Sequence, residues 1–123
     1  MCPCKSGKAY GDCCEPFHLG KKCACPELLM RSRYTAYSLG LAKYILSSWH
    51  EMYRPPSLDL TDDGIKWIDL KIINRRMISA VSASVEFKAK YLIAGKTECL
   101  HELRQFEKIN GSWYYKEGEH SLS

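Results

Sequence analysis

Four of the seven cysteines in this chain fall within its first 14 residues, as Cys2, Cys4, Cys13 and Cys14. An odd count, with this clustering, is unlike the spread-out framework of a secreted disulfide scaffold. Thiolates are soft anionic donors, and two pairs converging from separate turns can close a tetrahedron around one ion. Cys-x-Cys, then eight residues, then Cys-Cys supplies those two pairs. The pattern predicts a structural zinc site with no open coordination position. In the intervening loop, Gly7 and Gly11 permit tight backbone, and Lys5 and Lys8 offset the surplus negative charge of four thiolates. The competing readings are reduced thiols or a single disulfide, and His18, four residues after Cys14, could replace that cysteine as a ligand. Cys23-x-Cys25 cannot close a site alone and reads as free or partly buried thiols, while Cys99 reads as an apolar filler in a strand.

With 123 residues the chain fits one domain and a small appended module, placed at residues 1–25 and 26–123. An apolar share of 46% and a charged share of 26% are globular values, which argue against disorder. The formal charge of +4 is mild, and Lys21-Lys22 and Arg75-Arg76 are pairs and not runs, so the electrostatic case for nucleic acid is weak. No stretch approaches the ~20 apolar residues that span a membrane, and the first residues lack the apolar centre of a secretory leader. The expected location is cytoplasmic.

Pro26-Glu27 is a favourable helix opening, and Met30, Tyr34, Tyr37 and Leu41 recur on one helical face. Gly40 reads as a helix end, which gives helices over 27–39 and 41–50. Arg54-Pro55-Pro56 stops helical structure, and Thr61-Asp62-Asp63 could cap a short third helix. Val81, Ala83, Val85, Phe87, Ala89 and Tyr91 then alternate with polar residues, predicting a strand with one buried face. Turns at Ala94-Gly95-Lys96 and Asn110-Gly111, with an earlier strand over 67–75, predict an antiparallel sheet covered by the helices, an α+β arrangement.

Cys2-Pro3-Cys4, Ser6-Gly7-Lys8, Tyr10 and Cys13-Cys14 resemble the SEC-C zinc motif, also found at the C-terminus of the secretion ATPase SecA. Lys5 stands where relatives usually carry glycine. Farther on, residues 13–20, 29–37, Trp49-His50, His101-Glu102, Phe106, Asn110-Gly111, Trp113-Tyr114-Tyr115 and Gly118 resemble the YchJ family. That resemblance covers nearly the whole chain and implies a SEC-C module joined to an NTF2-like domain, a cone of curved antiparallel sheet around helices with an open pocket. Many relatives have serine at the position of Arg104. The family carries no established reaction, so the resemblance bears on fold more than on activity.

A concave site with a few convergent polar groups is where ligand binding or acid/base chemistry is expected. Arg31, Arg33, Tyr34, His101, Glu102 and Trp113 are the candidates for it. His101 and Glu102 are neighbours on a strand and point to opposite faces, which makes them a poor dyad. Leu100, Glu102 and Arg104 share one face and Cys99, His101 and Leu103 the other; neither is purely apolar, so the strand is either paired on both sides or bulged. A guanidinium beside the buried stripe must reach solvent or pair with a carboxylate such as Glu102, and a structural ion pair is favoured over anion binding. Trp113 and Tyr115 are expected in the core, with Tyr114 opposite. The functional expectation is a binding or adaptor protein that presents Lys5, Lys8 and Tyr10 on the zinc knuckle to a protein partner. The alternative is a small-molecule site or an enzyme within the cone.

Overall fold

The computed structural model describes residues 2–56 and 66–120. A 3-10 turn over Tyr10–Asp12 and a one-turn helix, α1 (Glu15–His18), lead into α2 (Pro26–Leu39) and α3 (Ala42–Ser47). Four strands follow: β1 (Lys66–Met77), β2 (Ser82–Ile93), β3 (Lys96–Ile109) and β4 (Ser112–His120). They form one open antiparallel sheet in the order β1-β2-β3-β4. The short third helix expected near Thr61 lies outside the described residues.

Both hairpins turn where the dipeptides predict. Ala94-Gly95 and Asn110-Gly111 have positive φ at both positions, 51° and 78° in the first and 51° and 82° in the second. Turns of that hand match the twist of the strands they join. On β2 the inward residues Ala83, Val85, Phe87 and Ala89 are buried, whereas Val81 precedes the strand and is half exposed. Tyr91 is half-buried, so burial tapers at both ends of the predicted pattern. β3 pairs with β2 on one side and β4 on the other, and its pairing with β4 shifts register at Gln105/Phe106. Both explanations for its mixed faces therefore apply. Glu102 and Phe106 lie inward and are buried; Cys99 is exposed on the other face, so it is no apolar filler.

Helix α2 begins at Pro26 and closes at Gly40, whose φ of 74° is the left-handed conformation that caps helices. Of the predicted stripe, Met30 and Tyr34 are buried but Tyr37 and Leu41 only half-buried, and burial extends instead to Leu29, Ser32, Arg33, Thr35 and Ala36. The sheet, α3 and the cysteine-rich segment each contact this helix. Helix α3 is shorter than the expected 41–50. After Ser47 the backbone leaves the helix to serve the edge of β4: the Tyr115 N–H donates to the Ser48 carbonyl at 2.8 Å, and the His50 N–H donates to the Tyr115 carbonyl at 2.6 Å. Edge-strand groups need partners, and this loop supplies them.

One buried cluster joins Cys2, Cys4, Cys14, Phe17 and Cys23 to Leu29, Met30, Tyr34 and the inner face of the sheet. The first 25 residues thus share a core with the α+β domain. No helix among the described residues is long and apolar enough to cross a membrane.

Candidate metal centre and ligand pocket

Cys2 and Cys4 sit in a turn closed by the Lys5 N–H on the Cys2 carbonyl, at 3.2 Å, and by the Cys2 N–H on the Lys8 carbonyl, at 2.8 Å. Cys13 ends the 3-10 turn and Cys14 precedes α1, where its carbonyl accepts from the N–H groups of Phe17 and His18. The four sulfurs all lie within 4.8 Å of one another, with Cys4–Cys13 at 3.5 Å and Cys13–Cys14 at 3.9 Å. Four thiolates around a tetrahedral ion, with bonds of about 2.3 Å, stand about 3.8 Å apart. The donor set and spacing therefore fit a metal ion.

Neighbouring groups hold these sulfurs against α2. The Thr35 hydroxyl donates to Cys14 Sγ at 3.3 Å and lies 3.6 Å from Cys2 Sγ, while Ser6 Oγ lies 3.1 Å from Cys13 Sγ. Arg31 Nη1 donates to the Cys4 carbonyl at 2.8 Å. His18 is occupied elsewhere. Its Nε2 lies 2.8 Å from the Ser32 carbonyl, which can only accept, so Nε2 carries the proton and Nδ1 accepts from the Tyr10 hydroxyl at 2.7 Å. The ring is a brace between the cysteine segment and α2, and Cys14 stands as the fourth sulfur. A hydrogen bond from Cys14 lowers the Cys4 thiol below its ordinary value, and the same bond, aided by burial, pushes Cys14 up. Binding a metal replaces the remaining protons. Cys23 is buried, its thiol raised by desolvation, and Cys25 is half-buried.

The second feature is a cavity of about 170 Å³ between α2 and the inner face of β1–β3. Arg33, Tyr34 and Tyr37 line it from the helix, facing Trp67, Phe87 and Arg104 on the strands. Arg104 makes a forked pair with Glu102, at 2.8 and 3.1 Å from Nη2 to the two carboxylate oxygens. Burial opposes the Arg104 charge, but the hydrogen bonds and charge of Glu102 prevail and raise its pKa. Arg33 is buried more deeply, at 1% exposure. Its Nη1 donates to the Ile45 carbonyl and the Ser48 hydroxyl, each at 2.7 Å, and its guanidinium lies 4.5 Å from the Tyr115 ring and 5.2 Å from the Trp49 ring. Tyr115 also meets Arg104 at 5.2 Å, so one ring serves two cations. Desolvation lowers Arg33 to about 10 and raises the Tyr34 hydroxyl to about 12.

Of the residues singled out from sequence, Arg33 and Tyr34 line this cavity and Glu102 borders it through Arg104. The other three lie elsewhere. Arg31 faces the cysteine segment and Glu27, at 3.8 Å. His101 projects from the opposite face of β3, where Nε2 meets Glu86 Oε2 at 2.6 Å. Trp113 is buried beside a separate groove of about 370 Å³, which Lys21, Lys22 and Tyr44 also line. The expected ion pair of Arg31 or Arg33 with Glu102 is not formed, because Arg104, two residues along the same strand face, takes that carboxylate. Arg104, Tyr37 and Trp67 were missed. The first was legible from its alternation with Leu100 and Glu102, and the second from its place in the helical stripe. Nothing local marked Trp67.

The model of the YchJ middle NTF2-like domain matches residues 25–118, and that of the SEC-C motif matches residues 1–16. A UPF0225 protein of Streptomyces coelicolor is 41% identical, covering 96% of this chain and 94% of its own. One from Bordetella pertussis is 39% identical over 96% and 91%. The solution structure of a SEC-C motif containing protein from Rhodopseudomonas palustris superposes with a TM-score of 0.88, at 34% identity and 98% coverage of both chains. A crystal structure of a similarly described protein from Psychrobacter arcticus gives 0.82, at 30% identity, covering 100% of this chain and 84% of that one. With a family model spanning most of its length and full-length relatives at this identity, the chain belongs to the YchJ, or UPF0225, family.

Proposed function

We propose that this protein binds a small molecule in the cavity between α2 and the sheet, and that a structural zinc ion fixes the helix forming one wall. The observation that carries this reading is the cavity itself: aromatic and apolar walls around two inward-facing guanidiniums. Apolar pockets with a few convergent polar groups are the usual form of ligand sites. Cys2, Cys4, Cys13 and Cys14 would hold the zinc. When bound, zinc supplies a closed tetrathiolate cross-link, and such ligands persist most readily in a reducing compartment such as the cytoplasm. The test is a metabolite screen by thermal shift on the metal-loaded chain, repeated on Leu100→Trp, which fills the cavity from its rim. A stabilising compound whose effect disappears in that variant supports the reading; no stabilisation by any compound counts against it.

A second reading is the adaptor role, favoured by the exposure of Lys5 and Lys8 beside the cysteine cluster. The Tyr10 ring is half-buried and its hydroxyl is held by His18, so the two lysines would form most of the contact. An acidic protein surface is the matching partner. Capture of a partner by the native chain, lost when Lys5 and Lys8 are changed to glutamine, is the expected result for that role; capture unaffected by the change would dismiss it.

A further inference from the structure

Arg33, a residue of the cavity wall, has an unmet hydrogen-bonding need. Its Nη1 has two acceptors, whereas Nη2 is buried and has no hydrogen-bond partner. Native interiors hold few such orphans, and one on a cavity wall is a natural place for a ligand atom. The charges point the same way. Glu102 is already engaged by Arg104 and the Asp69 carboxylate acts on Tyr34, whereas no carboxylate of the described residues is paired with Arg33. The Arg33 charge is therefore the one without a paired counter-ion among the described residues, the local surplus that a ligand meets.

Depth sets the orientation of whatever binds. Arg33 lies at the buried end, while Tyr37, Trp67 and Leu100 are half-buried and form the rim. An anionic group enters first, and the remainder of the molecule lies between rings. Size sets a limit as well: 170 Å³ is below the 300 Å³ or more usual for drug-sized ligands. A phosphate monoester, carrying about −1.5 to −2 charges at neutral pH, exceeds the surplus and asks for more donors than one free guanidinium nitrogen supplies.

We propose that the cavity binds a compact organic monocarboxylate, whose carboxylate accepts from Arg33 Nη2 and whose apolar or aromatic body packs against Tyr34, Trp67 and Phe87. The inference rests on the ligand-binding reading above and names its ligand class.

The experiment titrates the full-length, metal-loaded chain at pH 7 with benzoate, phenylacetate and hexanoate, each beside its neutral amide, following tryptophan fluorescence and NMR shifts. At least one acid binds saturably and at least tenfold more tightly than its amide. Arg33→Gln reduces the acid-to-amide ratio to near one, and Leu100→Trp blocks both. If Arg33→Gln fails to fold, the acid-to-amide ratio on the native chain decides alone. Amides binding as tightly as acids would overturn the anion inference while sparing the pocket. Absence of saturable binding by every acid and amide would overturn the inference, and the metabolite screen then decides the pocket reading separately.

Discussion

Lys5 is a non-glycine residue at φ 64°, in the left-handed region where a β-carbon costs roughly 1–2 kcal/mol. The turn it occupies is what brings Cys2 and Cys4 to the same centre. Lys5→Gly should therefore raise stability by about 1 kcal/mol, partly offset by the added freedom of the unfolded chain, and move the melting midpoint up by about 3 °C. His18 permits a sharper test of the metal ligands. His18→Ala should cost about 1–3 kcal/mol by leaving the Tyr10 hydroxyl and the Ser32 carbonyl short of a partner, yet leave metal stoichiometry unchanged. Cys14→Ser should lower metal content. Elemental analysis of the two variants separates these roles, and metal loss in the histidine variant would reopen its place among the ligands. The cysteines were legible because their spacing is local; Arg33 was singled out from sequence as a pocket candidate, but its partners were not legible. Its acceptors and rings come from Ile45, Ser48, Trp49 and Tyr115, which only the folded chain gathers around it.

Elements were legible where a local rule decides them. Gly40 ended α2 as its left-handed tolerance requires, and an added β-carbon there meets nothing within 4 Å. Any cost of Gly40→Ala is thus backbone strain alone, about 1–2 kcal/mol, readable as a lowered denaturation midpoint with unchanged slope. Elements were misread where tertiary demand intervened. Continuing α3 to His50 would have kept Ser48 and His50 from the edge of β4, so the sheet truncated the helix. The mixed faces of β3 likewise had their cause beyond the strand: paired on both sides, it sets Glu102 and Arg104 against a cavity and not against a dry core. An alternation rule that sorts residues only into apolar and wet cannot represent that third environment.

At the scale of the whole molecule, the cysteine segment closes the side of α2 that the sheet does not reach. Cys2, Cys4 and Cys14 are at most 2% exposed and share a cluster with Met30 and Tyr34, and Thr35, Arg31 and Ser32 all bond across the boundary. Structural zinc in small peptides contributes about 10–16 kcal/mol, which rivals the 5–15 kcal/mol total stability of an ordinary domain. Chelation under reducing conditions should therefore free more than the first 25 residues. The loss should run along α2 and open the wall that carries Arg33 and Tyr34, while β2 and β3, paired along their lengths, keep their amide protection longest. Hydrogen exchange on metal-loaded and chelated protein measures this directly: protection should fall in residues 26–39 as well as in 2–18. Because cavity and cluster share that helix, a bound carboxylate should in turn raise the equilibrium affinity for the metal, since coupling between sites is reciprocal. If α2 keeps its protection after the metal is removed, the two sites are energetically separate, and the cysteine segment is an appendage and not a strut.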